Sequence, residues 1–118
     1  MSIVGRVDSL WRYPVKSMRG EELDEMVFKF THTIRMDWML PGIAPTGKRV
    51  EVPLVAIIRF RDGKLAHEHI YWDQASVLVQ IGLLDAAKLP VAGVESARKV
   101  LDPGLPANAL MRRADLNQ

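Results

Sequence analysis

The chain has 118 residues, of which 48% are hydrophobic and 25% charged, and its formal net charge is +2. These values are typical of one globular domain with a sizeable core, and a charge this weak gives no indication of nucleic-acid binding. The absence of cysteine excludes disulfides and thiolate chemistry, and no apolar run reaches the roughly 20 residues of a membrane span or forms a signal peptide, so we expect a cytoplasmic protein.

The first predicted elements are strands. Residues 3–13 indicate an opening strand that ends at Tyr13-Pro14, because proline favours extended geometry in the residue before it. The polar segment 16–25 is typical of a turn. Residues 26–38, MVFKFTHTIRMDW, alternate with a period of two, which predicts a long half-buried strand. Its inward face would carry the even positions Phe28, Phe30, His32, Ile34, Met36 and Trp38.

Further along the chain, residues 40–48 contain Pro-Gly and Thr-Gly pairs and predict a loop. Residues 49–61 predict a second strand with an entirely apolar even face, in which Pro53 favours a bulge or an edge. Asp62-Gly63 is the preferred two-residue hairpin turn, and a third strand should run from Lys64 to about Asp73. Short helices are predicted within 76–89, 93–101 and 108–114.

The hairpin turn also predicts the register of its two strands. Counting outward from it places a row of polar residues opposite the apolar even positions of the second strand. Since directly opposed residues share one face of a sheet, this polar row would point toward the core. The expected pairs are Ile58 with His67, Ala56 with His69, Leu54 with Tyr71, and Val52 with Asp73.

Spacing divides this polar row into a candidate site and an outlier. At about 3.3 Å per residue, His67 would lie roughly 20 Å from Asp73. His69, Tyr71 and Asp73 are successive neighbours on one face, each about 6.6 Å from the next. The sequence therefore predicts a pocket floor on which these three side chains cooperate.

A further candidate, His32, is expected across the sheet near Ala56. Its backbone would be roughly 10 Å from that of His69, which suits a molecule bound between the imidazoles. Two other interpretations stay open: the histidines could be hydrogen-bonded core or rim residues, or His67 and His69 could bind a metal with a third ligand. We predict neither a metal nor a cofactor.

Three segments carry a family resemblance: PTGKRVEVP, IIRFRDGKLAHEHIYWD and QASVLVQIGLL. In this order they resemble the SnoaL-like polyketide cyclases of the nuclear-transport-factor-two-like, or ketosteroid-isomerase-like, superfamily. The resemblance implies an α+β fold in which a curved antiparallel sheet forms a partial cone over an apolar pocket, followed by short C-terminal helices. It also implies a small apolar ligand and acid/base chemistry beside a carbonyl, with Asp73 as the acid/base and His69 and Tyr71 beside it. The expected ligand-binding residues are His32, Ala56, Leu54, Phe30, Ile34, Trp38 and His67.

The beginning of the chain departs from that family, whose members start with helices. Residues 3–23, including VDSLWRYPVKSMRGEEL, resemble instead the start of a MOSC domain, so we divide the chain into a MOSC-like leader, 1–25, and a truncated cyclase-like domain, 26–118. Without lid helices the even faces of the strands would be exposed. Exposure costs roughly 1.5–3 kcal/mol for each large apolar side chain, which favours a homodimer that covers them. The alternative function is a non-catalytic binding or dimerisation module. The predicted dimer contact is the outer face with Val55, Ile57, Ile70 and Trp72.

Overall fold

Four antiparallel strands form a single sheet in the computed structural model of the chain, which describes residues 7–15, 21–106 and 109–113. The strand order β1-β2-β3-β4 follows the chain, so each strand pairs with the next. Two short helices and a 3₁₀ turn follow the sheet, which confirms the predicted α+β class. The elements are β1 (Val7–Val15), β2 (Glu21–Thr31), β3 (Arg49–Arg61), β4 (Lys64–Trp72), α1 (Gln74–Gln80), α2 (Glu95–Leu101) and η1 (Ala109–Met111).

The boundaries of β2 differ from the prediction at both ends. The strand begins at Glu21, inside the segment predicted as a turn, and ends at Thr31 rather than at residue 38. At His32 the amide N–H donates to Lys48 O at 2.8 Å, while Gly47 N–H donates to His32 O, also at 2.8 Å. Gly47 and Lys48 of the returning chain thus both bond to His32, as in a β-bulge, and the ladder between β2 and β3 ends there.

The predicted loop after β2 is confirmed and extends over residues 32–48. Leu40 accepts a 3.2 Å bond from Ile43 N–H across Pro41-Gly42, and Gly42 has φ +77°, as the third residue of a type II turn requires. The alternation seen in residues 32–38 therefore belongs to a loop.

The β3–β4 hairpin is confirmed, but its register is not. Asp62 and Gly63 have φ of +53° and +73°, as expected for a type I′ turn. Phe60 pairs with Leu65, yet Arg59 pairs with His67, which leaves Ala66 as an extra residue in β4. This β-bulge shifts the rest of β4 by one position, so the predicted register is wrong beyond it.

One face of the sheet, called here the inner face, carries the hydrophobic core. Side chains from β2 and β3 meet those of the 32–48 loop and α1 on this face. The buried members of the core are Phe30, Met36, Met39, Leu40, Val50, Val52, Val77 and Ile81, and Phe28, Ile34, Ile43, Leu54, Trp72 and Leu78 pack against them.

Helix α1 is fixed at both ends and along its length. Asp73 caps its N-terminus, and Gly82, with φ +83°, ends it: the N–H groups of Gly82 and Leu83 donate to Val79 O and Leu78 O. The Gln80 side chain accepts from Glu51 N–H at 2.9 Å and donates to Glu51 O at 3.0 Å. Its amide thus pairs with β3 beyond the last β4 residue, as a further strand would.

The other face, called the outer face, is covered at one end by α2. Arg98 of α2 lies 3.7 Å from the Glu51 carboxylate, which also pairs with Lys29 at 3.3 Å. Pro53 follows on the same edge as Glu51, and β4 has already ended at Trp72, opposite Leu54. The N–H that Pro53 lacks would therefore point to a side where β3 has no neighbouring strand, which agrees with the predicted edge position.

The leader segment contributes β1, which pairs with β2 from Val7 opposite Phe30 to Val15 opposite Leu23. Residues 3–6 of the predicted opening strand, and residues 108 and 114 of the last predicted helix, lie outside the described residues. The proposed junction at residue 25 falls within the continuous strand β2. The division into two domains stays a prediction. No helix in the described part of the chain is long and apolar enough to cross a membrane.

Candidate functional site

Beyond the core, the inner face continues as a surface of partly buried apolar side chains. Met26, Leu54 and Trp72 oppose one another across β2, β3 and β4, and all three are half-buried. Phe28 adjoins them, and its ring lies 6.3 Å from that of Trp38, which is 63% exposed. We call these five residues the apolar strip. Such a surface is suited to binding a small apolar molecule.

A carboxyl group lies on the same face in the row next to the apolar strip. Asp24 opposes Ala56, and Ala56 opposes Ile70. Asp24 is fully buried and takes part in a polar or electrostatic interaction within the chain, as a buried carboxylate requires. Ala56 contributes only a methyl group to this row and is also fully buried.

In the next row of the inner face, the residues on β2 and β4 are acidic. Glu22 and Glu68 are exposed and flank the buried Ile58. The face thus changes along the strands from a closed core, through the apolar strip, to one buried carboxyl and two exposed ones. A molecule with an apolar body and one polar group fits this gradient.

The polar row predicted as a pocket floor lies on the opposite, outer face. Because of the bulge at Ala66, His69 pairs with Ile57 and Tyr71 with Val55. Both side chains are exposed, Tyr71 by 58%. The prediction that they point toward the core is therefore wrong, since one extra residue reverses the direction of every later side chain in the strand.

His67 belongs to the same outer surface. Its ring centroid is 5.1 Å from that of His69, and its Nε2 is 3.9 Å from Glu21 Oε1. Arg59 Nε lies at the same distance from that oxygen, so the carboxylate is shared between an arginine and an imidazole. Among the described residues, no group of three or more histidine, aspartate or glutamate side chains could hold a metal ion.

Asp73, the predicted acid/base, has a structural contact at the start of α1. It is exposed, and its Oδ1 accepts a 3.2 Å hydrogen bond from Ser76 N–H. This is the normal role of an N-cap aspartate. Asp73 directly follows Trp72, the last residue of β4.

His32 is fully buried at the opposite end of the core from Asp24. Its Nδ1 accepts from Thr46 N–H at 3.2 Å and lies 3.0 Å from Thr46 Oγ1, which ties the start of the loop to its Thr-Gly turn. His32 pairs with Lys48, roughly 26 Å along β3 from Ala56. The predicted row of His32, Ala56 and His69 is therefore wrong, because Ala56 faces Asp24 on one side and Ile70 on the other.

The other predicted ligand-binding residues divide between core and surface. Phe30 is buried in the core and Ile34 packs against the core, so both belong to its packing and not to the apolar strip. Leu54 and Trp38 belong to the apolar strip, and Ala56 lies in the Asp24 row.

The predicted dimer contact is divided between the two faces. Val55 and Ile57 lie on the outer face, whereas Ile70 and Trp72 lie on the inner face, because the bulge at Ala66 reverses the second pair. Dimerisation itself stays a prediction, and a monomeric mass by light scattering at micromolar concentration would contradict it.

Sequence reasoning missed Asp24 because β2 was expected to begin at residue 26. The signal was present in the alternation: Glu22, Asp24, Met26, Phe28 and Phe30 occupy successive even positions. Extending the period of two backward through ELDE would have placed this carboxyl on the apolar face.

Comparison with known proteins gives one family and one fold. The family model of the SnoaL-like polyketide cyclases matches residues 11–81. The solved structure of TsrD from Streptomyces laurentii is similar, with a TM-score of 0.58 and 24% sequence identity; the alignment covers 69% of this chain and 57% of TsrD. The chain thus spans little more than half the length of that protein. No curated protein matches this chain.

Proposed function

Because the chain belongs to the SnoaL-like polyketide cyclase family, we propose that it binds a small apolar carbonyl compound on the inner face of its sheet. The apolar strip would cover the body of the ligand, with Trp38 and Trp72 at its borders. The observation that carries the proposal is the position of Asp24, a buried carboxyl in the row adjoining the strip.

The chemistry that we propose is proton transfer beside the carbonyl. The Asp24 carboxylate would take a proton from the carbon next to the carbonyl, and the resulting carboxylic acid would return it to carbon or oxygen. This step needs no redox partner, and a positioned carboxyl group contributes about 10²–10⁴-fold to such a transfer. Asp73 is the second candidate for the same role, because it matches the acidic position that the family resemblance implies.

A proton-exchange experiment separates the two carboxyl groups. In D₂O, 1-tetralone exchanges the protons next to its carbonyl, and ¹H NMR follows their loss. We expect the protein to accelerate this exchange over buffer, and Asp24→Asn to reduce the acceleration by about 100-fold or more. Asp73→Ser removes the second carboxylate but keeps an N-cap hydroxyl, so it should preserve both the helix and the acceleration.

His69→Ala is the matched control, because His69 lies on the outer face. It should leave exchange unchanged. Full acceleration in Asp24→Asn, with loss in Asp73→Ser, would transfer the acid/base role to Asp73 and contradict our assignment.

The alternative is a binding module without catalysis, and the full burial of Asp24 favours it. A ligand resting on the half-buried strip would then lie beside the carboxyl without reaching it. This alternative predicts that 1-tetralone shifts the NMR signals of Phe28, Leu54 and Trp72. The protons next to its carbonyl would then exchange no faster than in buffer alone.

A further inference from the structure

A cavity lies outside the segment that matches the family. It has a volume of about 930 Å³ and is bordered by the 86–92 segment, α2 and the residues around η1. Ligand sites commonly have volumes of about 300–1,000 Å³ and mostly apolar walls. The apolar walls here include Ala87, Val91, Ala92, Ala109 and Leu110.

Two cations reach this cavity, and both also hold its walls together. Lys99 Nζ donates to the carbonyl oxygens of Pro103 and Leu105. Arg113 donates to Leu89 O and Ala87 O, each at 2.9 Å. The polypeptide segments before α2 and after it are thus tied by side chains that line the cavity.

These bonds leave donors available on both cations. An ammonium has three N–H donors and a guanidinium five, and each side chain uses two of them on carbonyl oxygens. Within the described residues, neither Lys99 nor Arg113 has a carboxylate partner. The one acidic residue of the lining, Glu95, accepts a hydrogen bond from Gly93 N–H.

We infer that this cavity binds an organic anion with an apolar body, such as a medium-chain carboxylate. Its chain would lie against the alanine-rich wall, and its carboxylate would take the remaining donors of Lys99 and Arg113. Charge-assisted hydrogen bonds of this kind are among the stronger polar contacts in proteins. The site is separate from the inner face and does not depend on the function proposed for it.

Decanoate and 1-decanol test the inference on the unmodified protein, because they differ in charge and share an apolar body. We expect decanoate to bind at least about tenfold more tightly than 1-decanol, as measured by calorimetry. One hydrogen bond to a charged group contributes about a tenfold factor in affinity. The ¹⁵N NMR signals of Val91, Ala92 and Leu110 should shift. Equal affinity for the two compounds, or shifts confined to Phe28, Trp38 and Trp72, would overturn the inference.

Variants locate the site. Lys99→Met keeps most of the apolar stem and should weaken decanoate about tenfold more than it weakens 1-decanol, which reports the loss of the bonds to Pro103 and Leu105. Lys88→Met is the control, because Lys88 is exposed and does not line the cavity. Ala92→Trp fills the cavity and should abolish binding of both compounds with the circular dichroism spectrum unchanged. Undiminished decanoate binding in a folded Ala92→Trp protein would exclude this cavity.

Discussion

The inner and outer faces of the sheet come from the same strands but differ in burial along β3. On β3, Val50, Val52 and Ala56 point inward and are fully buried, while Val55 points outward and is 37% exposed. On β4 the bulge exchanges the faces, so that Trp72 joins the core and Tyr71 lies outside. The comparison shows that the bulge at Ala66 decides which side chains of β4 lie on the inner face and which lie on the outer face.

The largest effect should come from inserting one alanine between Glu68 and His69. The insertion shifts the rest of β4 by one position, which would turn His69 and Tyr71 toward Ala56 and Leu54, and Trp72 away from the core. Burying these polar groups, or losing the pairing instead, should lower the free energy of unfolding by about 3 kcal/mol or more. Urea unfolding measures this change. Deleting Ala66 keeps Arg59 opposite His67 and Leu54 opposite Trp72, so it should cost much less than the insertion, and an equal loss in both variants would contradict the role of the register.

Two valines of β3 give a matched comparison of the faces. Val52→Ala removes buried methyl groups from the core and should cost about 2 kcal/mol in the free energy of unfolding. Val55→Ala changes a partly exposed outer position and should cost less than about 1 kcal/mol in the same urea experiment. Equal losses would indicate that the outer face is covered in solution, for example by a second copy of the chain.

The sequence was sufficient for the hairpin, the limits of β3 and the inward direction of its even face. Asp62-Gly63 has a turn chemistry with few alternatives, and thirteen residues of β3 favour a strand throughout. The bulge could not be predicted because Ala66 has no distinctive backbone requirement, and the register followed from assuming regular pairing. The side chains of His69 and Tyr71 were therefore placed on the wrong face of the sheet, whereas the family is confirmed.

The limits of β2 show a different difficulty. The acidic residues Glu21–Glu25 have low strand propensity, and their pairing with β3 overrides it. Residues 32–38 continue the alternation, yet the His32–Thr46 contact and the Pro41-Gly42 turn direct them into a loop. Pairing with β3 decided the first limit of the strand, and the His32–Thr46 contact acted with the local Pro-Gly turn at the second. An alternating pattern contains neither long-range contact.

A smaller effect is expected at the junction between the sheet and α1. Asp73→Ala removes the hydrogen bond to Ser76 N–H and should lower the free energy of unfolding by about 1 kcal/mol. Asp73→Ser should recover most of this loss, because a serine hydroxyl can accept the same bond. Thermal unfolding checks both variants, and full stability in Asp73→Ala would show that the cap is unimportant.

The smallest effect concerns the loop that carries Trp38. The hydrogen bond from Gly42 N–H, and then that from Arg35, lower the pKa of Asp37 below its ordinary value of 3.8. A lowered pKa in the folded state stabilises the protein above pH 3.8, and this contribution is lost as the pH falls through the folded value. We expect Asp37→Asn to be slightly less stable than the wild type near pH 7, with the difference shrinking below pH 3.8. A difference that is independent of pH would contradict this linkage.

The Gln80 amide has a consequence for how copies of the chain meet one another. A strand that extends past its neighbour offers free N–H and C=O groups, to which a strand of another molecule can add. At Glu51 those groups already bond to Gln80, whose own Nε2 also reaches Ser76 Oγ at 3.1 Å. Gln80 therefore occupies the backbone groups of Glu51, which are no longer available to a strand of another molecule.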